Sequence, residues 1–96
     1  MTNIKLCIIV PCYNEQEVLP ETMKRLSMFL QENSDMLSES SRILFVDDGS
    51  RDDTWKMIAA RAKADTRIEG LRLAHNRGHQ NALWAGMETA DRKSVV

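Results

Sequence analysis

Apolar residues fall along this chain in short runs that switch between two periodicities. Ile4 to Val10 is almost continuously apolar and rich in β-branched side chains. It is too short for a helix and predicts a strand buried on both faces, as in a parallel sheet. Pro11 is expected to end it, since proline cannot donate to a strand ladder. From about Val18 to Glu32 the spacing changes. Leu19, Met23, Leu26, Met28, Phe29 and Leu30 form an apolar stripe at helical intervals, with Glu21, Lys24, Arg25 and Gln31 opposite. Pro20 is tolerated only in a first turn, so the regular helix starts close to it.

The stretch from Asn33 to Ser41 is polar and serine-rich and reads as a loop. Arg42 to Val46 predicts a second strand, followed by a turn at Gly49 and Ser50. Asp52 or Asp53 suits a helix amino terminus, and a helix from about Thr54 to Asp65 carries Trp55, Ile58, Ala59 and Ala62 inward. Ile68 to Ala74 predicts a third strand and Asn76-Arg77-Gly78 a turn. Gln80 to Ala90 predicts a third helix, with Leu83, Trp84 and Met87 as its apolar contacts. Ser94-Val95-Val96 reads as the start of a fourth strand. The order β-α-β-α-β-α-β implies an α/β fold, a Rossmann-like three-layer parallel sheet with right-handed crossovers. Residues 1–96 are expected to be one nucleotide-binding unit, cut in or before its fourth strand, and so part of a longer protein.

Composition narrows the function classes. Thirteen Lys and Arg against fourteen Asp and Glu leave a net charge of -1, which gives no case for nucleic acid or an anionic membrane surface. No apolar stretch approaches the roughly 20 residues that span a bilayer, and no signal peptide is visible, so a soluble cytoplasmic chain is expected. Cys7 and Cys12 are the two cysteines. They lie on or beside one strand, a poor arrangement for a disulfide or a zinc site, and read as structural thiols in a reducing compartment.

Candidate chemistry gathers where strands end, because in open α/β sheets ligands sit at the carboxyl ends of parallel strands. Asp47-Asp48-Gly49-Ser50 closes the second strand. Adjacent carboxylates repel one another and expose charge at the rim, which is costly unless something uses it. Their side chains point to opposite faces: one can accept hydrogen bonds from a base or ribose while the other caps the turn. Gly49 permits a sharp turn. Pro11-Cys12-Tyr13-Asn14-Glu15 closes the first strand. Tyr13 offers an aromatic face, Glu15 an acceptor and Asn14 a turn residue; a packed loop tyrosine and a first-turn carboxylate are the bland readings. His75-Asn76-Arg77-Gly78-His79 closes the third strand. There Arg77 suits a phosphate or plain solvent, and the two histidines span a turn rather than one helix face, which disfavours a metal pair. Neither a Walker A sequence, a glycine-rich dinucleotide fingerprint nor a Gly-x-Ser-x-Gly elbow is present.

The segments IIVPCYNE, FVDDGSRDDT and LAHNRGHQNALWAG, in that order and at these intervals, resemble the amino-terminal half of family-two inverting glycosyltransferases with the GT-A fold. The similarity is greatest to the branch holding bactoprenol glucosyltransferases and dolichol-phosphate mannosyltransferases, and it covers essentially the whole chain. The resemblance implies a nucleotide-sugar donor (UDP- or GDP-sugar) and a polyprenyl-phosphate or other glycan acceptor, at the cytoplasmic face of a membrane in cell-envelope synthesis. It implies Pro11, Tyr13 and Glu15 around base and ribose, with Val46 and Asp48 also on the nucleoside. Asp47 would support the turn, and Arg77 and Gly78 would lie near the diphosphate. It also implies a divalent cation, Mg2+ or Mn2+, held by an Asp-x-Asp motif after the fourth strand. That motif, the general base and the acceptor half are absent from these residues. No catalytic or metal-binding residue is therefore expected within the chain, and no activity from it alone.

Two other readings compete with a donor-binding half-enzyme. A non-catalytic nucleotide-binding or interaction module would keep the fold without the chemistry, and the residues after Val96 would discriminate. A phosphoacceptor receiver domain would place its paired carboxylates after the first strand, whereas here they follow the second. A half-domain would also leave a sheet edge open to pairing with a second copy.

Overall fold

In the computed structural model, residues 3–73 are described. They form β1 (Cys7–Cys12), α1 (Leu19–Glu32), β2 (Arg42–Asp47), α2 (Thr54–Ala64) and β3 (Ile68–Arg72), in that order. The strands make one sheet in the order β1-β2-β3, parallel at both pairings. This is the α/β, Rossmann-like arrangement the periodicity predicts. The expected turn at Asn76-Arg77-Gly78, the third helix and the fourth strand lie outside the described residues.

The first strand departs from expectation at both ends. Ile4 is not in it; the residue bridges Leu37 instead, donating its N–H to the Met36 carbonyl at 3.0 Å. At the other end the strand runs on through Pro11, which pairs with Val46. The reason lies in alternation. The Cys12 carbonyl accepts the Asp48 N–H at 2.8 Å, so Cys12 turns its backbone groups toward β2. Pro11, one residue earlier, turns its donor-less nitrogen away, where no ladder bond is lost. Among the described residues β1 is an edge strand, and only its last residue, Cys12, is buried. Central β2 is the strand buried on both faces, from Ile43 to Asp47.

Side chains of β2 alternate between two cores. Ile43 and Phe45 join Cys12, Leu19, Met23, Leu30, Ile58 and Ile68 beneath the helices. Leu44 and Val46 pack with Cys7, Ile9, Leu71 and Leu73 on the opposite face. In α1 the buried stripe is narrower than the apolar pattern suggests. Leu19, Met23 and Leu30 are buried, whereas Met28 and Phe29 are each 46% exposed. Positions 19, 23, 26 and 30 stack on one face at 3.6 residues per turn, and 28 and 29 rotate off it. Pro20 occupies the first turn, as its missing N–H requires.

Candidate functional site

Parallel pairing brings the carboxyl ends of all three described strands to one edge. Register then fixes which side chains share a face there. Cys12, Asp47 and Arg72 stand side by side on the helix-covered face, and Pro11, Val46 and Leu71 on the other. The tyrosine–glutamate corner and the double-aspartate corner therefore border the same edge.

The two loops leaving this edge are stitched together. Asn14 donates its N–H to Ser50 Oγ at 2.8 Å, and its own Oδ1 accepts the Arg51 N–H at 2.8 Å. Glu15 N–H reaches Thr54 Oγ1 at 2.9 Å, and Gln16 N–H reaches Asp52 Oδ2 at 3.3 Å. Gln16 Oε1 in turn accepts the Asp53 N–H at 2.9 Å. Asn14 has φ of 50°, a left-handed conformation that asparagine adopts more readily than most residues. Gly49, at φ 78°, makes the matching bend in the second loop. Asp52 also accepts from Thr54 N–H at 2.9 Å and Thr54 Oγ1 at 2.5 Å. The Thr54 hydrogen bond is the chief reason its carboxyl sits below the ordinary aspartate range. Asp53 takes the N-cap position of α2 without a side-chain cap bond.

The aspartate pair corrects one expectation. Rather than exposing charge at the rim, Asp47 and Asp48 are both fully buried. Burial of a carboxylate is tolerable when hydrogen bonds and a cation compensate it. Asp47 has both: its two oxygens lie 3.3 Å from the Ser50 N–H, and Arg72 Nε stands 3.6 Å from Oδ2. Asp48 ties its backbone to Cys12 and so anchors the two corners to each other. Cys12, buried between them, has its thiol pushed up to about 12, first by desolvation and then by the charges of Glu15 and Asp47.

Of the residues singled out from sequence, Pro11, Tyr13 and Glu15 are partly buried on this edge, and Val46 is fully buried beside Pro11. Arg77, Gly78 and the two histidines lie outside the described residues. Sequence reasoning missed the stitching residues Gln16, Ser50, Asp52 and Thr54, and also Arg72. Short polar side chains after a strand read as local caps, and nothing in spacing reveals partners more than thirty residues away. Arg72 was legible only as one more charged residue on a strand.

Asp47 is committed to Ser50 and Arg72, and among the described residues no three His, Cys, Asp or Glu side chains gather to hold a metal ion. A recess of about 220 Å3 lies against the stitched loops, lined by Asn14, Glu15, Gln16, Glu17, Val18 and Asp52. No helix among the described residues is long and apolar enough to cross a membrane.

Comparison with known proteins agrees with this architecture. The sequence profile described as "Glycosyl transferase family 2" matches residues 7–96. The chain is 45% identical over 91 residues to "Uncharacterized glycosyltransferase YkoT" of Bacillus subtilis, covering 93% of this chain and 27% of that protein. It is 40% identical over 93 residues to the "Undecaprenyl-phosphate 4-deoxy-4-formamido-L-arabinose transferase" of Sodalis glossinidius (96% of this chain, 27% of the relative). To the "Prophage bactoprenol glucosyl transferase homolog" of Escherichia coli it is 31% identical over 93 residues, which is 97% of this chain and 29% of the relative. The chain thus spans little more than a quarter of the length of these curated relatives. With the profile matching nearly the whole chain over a parallel α/β sheet, the chain belongs to glycosyl transferase family 2.

Proposed function

We propose that this chain supplies the donor-nucleotide wall of a glycosyltransferase that moves a sugar from a UDP- or GDP-sugar to a polyprenyl phosphate at the cytoplasmic face of a membrane. The observation that carries the reading is the shared edge: two strand-end loops, stitched by hydrogen bonds, bring the partly buried Tyr13 and Glu15 and the buried Asp48 to the same end of the sheet. In this reading Tyr13 lies against the base, and Glu15 and Asp48 accept from base and ribose donors. Pro11 and Val46 form an apolar floor, and Arg77 and Gly78 approach the diphosphate. The acceptor class is supported by the names of the relatives, which include undecaprenyl-phosphate and bactoprenol transferases.

Among the described residues no three His, Cys, Asp or Glu side chains gather for a metal ion, and inverting transfer needs both an acceptor base and compensation for the leaving diphosphate. The cation expected of the whole protein takes its ligands from elsewhere, and the 96 residues by themselves do not turn over substrate. Calorimetric titration of the chain with UDP, GDP and UDP-glucose, with and without Mn2+, tests the proposal. Weak binding of one nucleotide, insensitive to Mn2+ and lost in Asp48→Asn, is expected. Absence of binding by every nucleotide at millimolar concentration would overturn donor recognition. Turnover by the chain with sugar nucleotide, Mn2+ and polyprenyl phosphate would overturn the claim of inactivity.

A further inference from the structure

An unbroken series of polar contacts crosses the edge from the last strand to the first loop. Arg72, at the end of β3, lies beside Asp47 in register, its Nε 3.6 Å from Oδ2. Its guanidinium carbon sits 5.8 Å over the Trp55 ring, which limits where the side chain can swing. The two Asp47 oxygens receive the Ser50 N–H at 3.3 Å. Ser50 Oγ receives the Asn14 N–H at 2.8 Å, and Asn14 Oδ1 receives the Arg51 N–H. We infer that Arg72 is a positioning residue, which orders the Tyr13–Glu15 corner through Asp47, Ser50 and Asn14 without itself touching the donor.

The physical argument starts from burial. Asp47 is 0% exposed, whereas the Arg72 side chain is 51% exposed. The arginine can be replaced without opening a core cavity, but its loss takes from a buried carboxylate the one cation paired with it among the described residues. Such a group turns toward water or another donor. That movement weakens its hold on Ser50, and Ser50 Oγ is what pins Asn14 at a left-handed φ. Release of Asn14 re-aims the residues on both sides of it, Tyr13 and Glu15. This inference rests on the donor-site reading for its functional consequence, but its structural half stands apart from that reading.

The test uses the 96-residue chain carrying Arg72→Met, Arg72→Lys or, as control, Arg42→Met. Arg42 pairs with Glu69 at 3.8 Å at the opposite end of the sheet. Backbone amide resonances of the free chain are followed by NMR, and UDP and GDP affinities by calorimetry. Arg72→Met is expected to shift the amides of Tyr13, Asn14, Glu15, Ser50 and Arg51 and to weaken nucleotide binding roughly three- to tenfold, the size of coupling that such networks carry. Arg72→Lys, which keeps a cation at Asp47, restores most of the affinity, and Arg42→Met changes neither readout. Shifts that stop at Asp47 and Trp55, or an equal loss in Arg42→Met, overturn the inference. If Arg72→Met does not fold, smaller shifts of the same amides in Arg72→Lys support it and silence there overturns it. Failure of the unsubstituted chain to bind either nucleotide counts against the donor site, while the amide shifts still decide the relay.

Discussion

Cys12 sits fully buried beside the carboxylates of Glu15 and Asp47, and its thiol is held far from ionisation by desolvation first and by those charges second. Since the thiolate is the reactive form, Cys12 is inert near neutral pH. Cys7 is only half-buried and packs on the opposite face of the sheet. Under native conditions at about pH 8, iodoacetamide should modify Cys7 well before Cys12, as peptide mass spectrometry would report. Equal labelling would mean that the edge is open to solvent. Gly70 is a second position governed by its surroundings. A Cβ there would lie 2.7 Å from Ile58 Cγ2 and 3.1 Å from the Trp55 ring. Ile58 is fully buried and cannot yield cheaply. Gly70→Ala is expected to destabilise the chain by about 1–3 kcal/mol, the usual cost of overpacking, measured as a lower urea midpoint at unchanged slope.

Stitching of the two strand-end loops is a property of elements rather than of single residues. Each loop by itself would carry backbone N–H groups with no secondary-structure partner; together they satisfy Asn14, Glu15 and Gln16 on one side and Arg51 and Asp53 on the other. Asp52 is central, and its carboxyl is held below the ordinary value chiefly by Thr54. A depressed carboxyl stabilises the folded state at pH above its unfolded value, about 3.9, and that contribution disappears as pH falls through the folded value. The amide resonances of Gln16 and Thr54 should therefore move together in an acid titration below about pH 4. Asp52→Asn should abolish that step while leaving the amides of β2 in place. If both amides titrate unchanged in Asp52→Asn, the stitch depends on another group.

On the scale of the molecule, one central strand divides two cores, and its largest inward side chain is Phe45, fully buried among residues of β1, α1 and α2. Phe45→Ala is expected to cost about 3–5 kcal/mol. Small domains have about 5–15 kcal/mol of total stability, so this change removes a large part of it and should lower the thermal midpoint steeply by circular dichroism. An effect below 1 kcal/mol, taken as roughly the spread of ordinary surface changes, would contradict a shared core. Among the described residues β1 and β3 are the outer strands of the sheet. Pairing of copies through such an edge would show as a sedimentation coefficient that rises with concentration.

Periodicity alone was enough for the five elements among the described residues. Runs at period two and stripes near period 3.6 are local properties of the chain, and they mark β1, α1, β2, α2 and β3 to within a few residues at each end. The abrupt change from apolar run to Tyr13-Asn14-Glu15 and Asp47-Asp48 likewise marks the edge that the proposed donor site uses, since both segments leave parallel strands at their carboxyl ends. Tertiary structure decided what spacing does not encode. Pro11 stays inside its strand because its nitrogen faces away from β2. Met28 and Phe29 remain exposed because the sheet contacts only one stripe of α1. Asp47 and Asp48 are buried, and Arg72 becomes the partner of Asp47, because parallel register sets three strand ends in one row. These outcomes depend on pairings between residues far apart in the chain, and such pairings come into being only when the sheet forms.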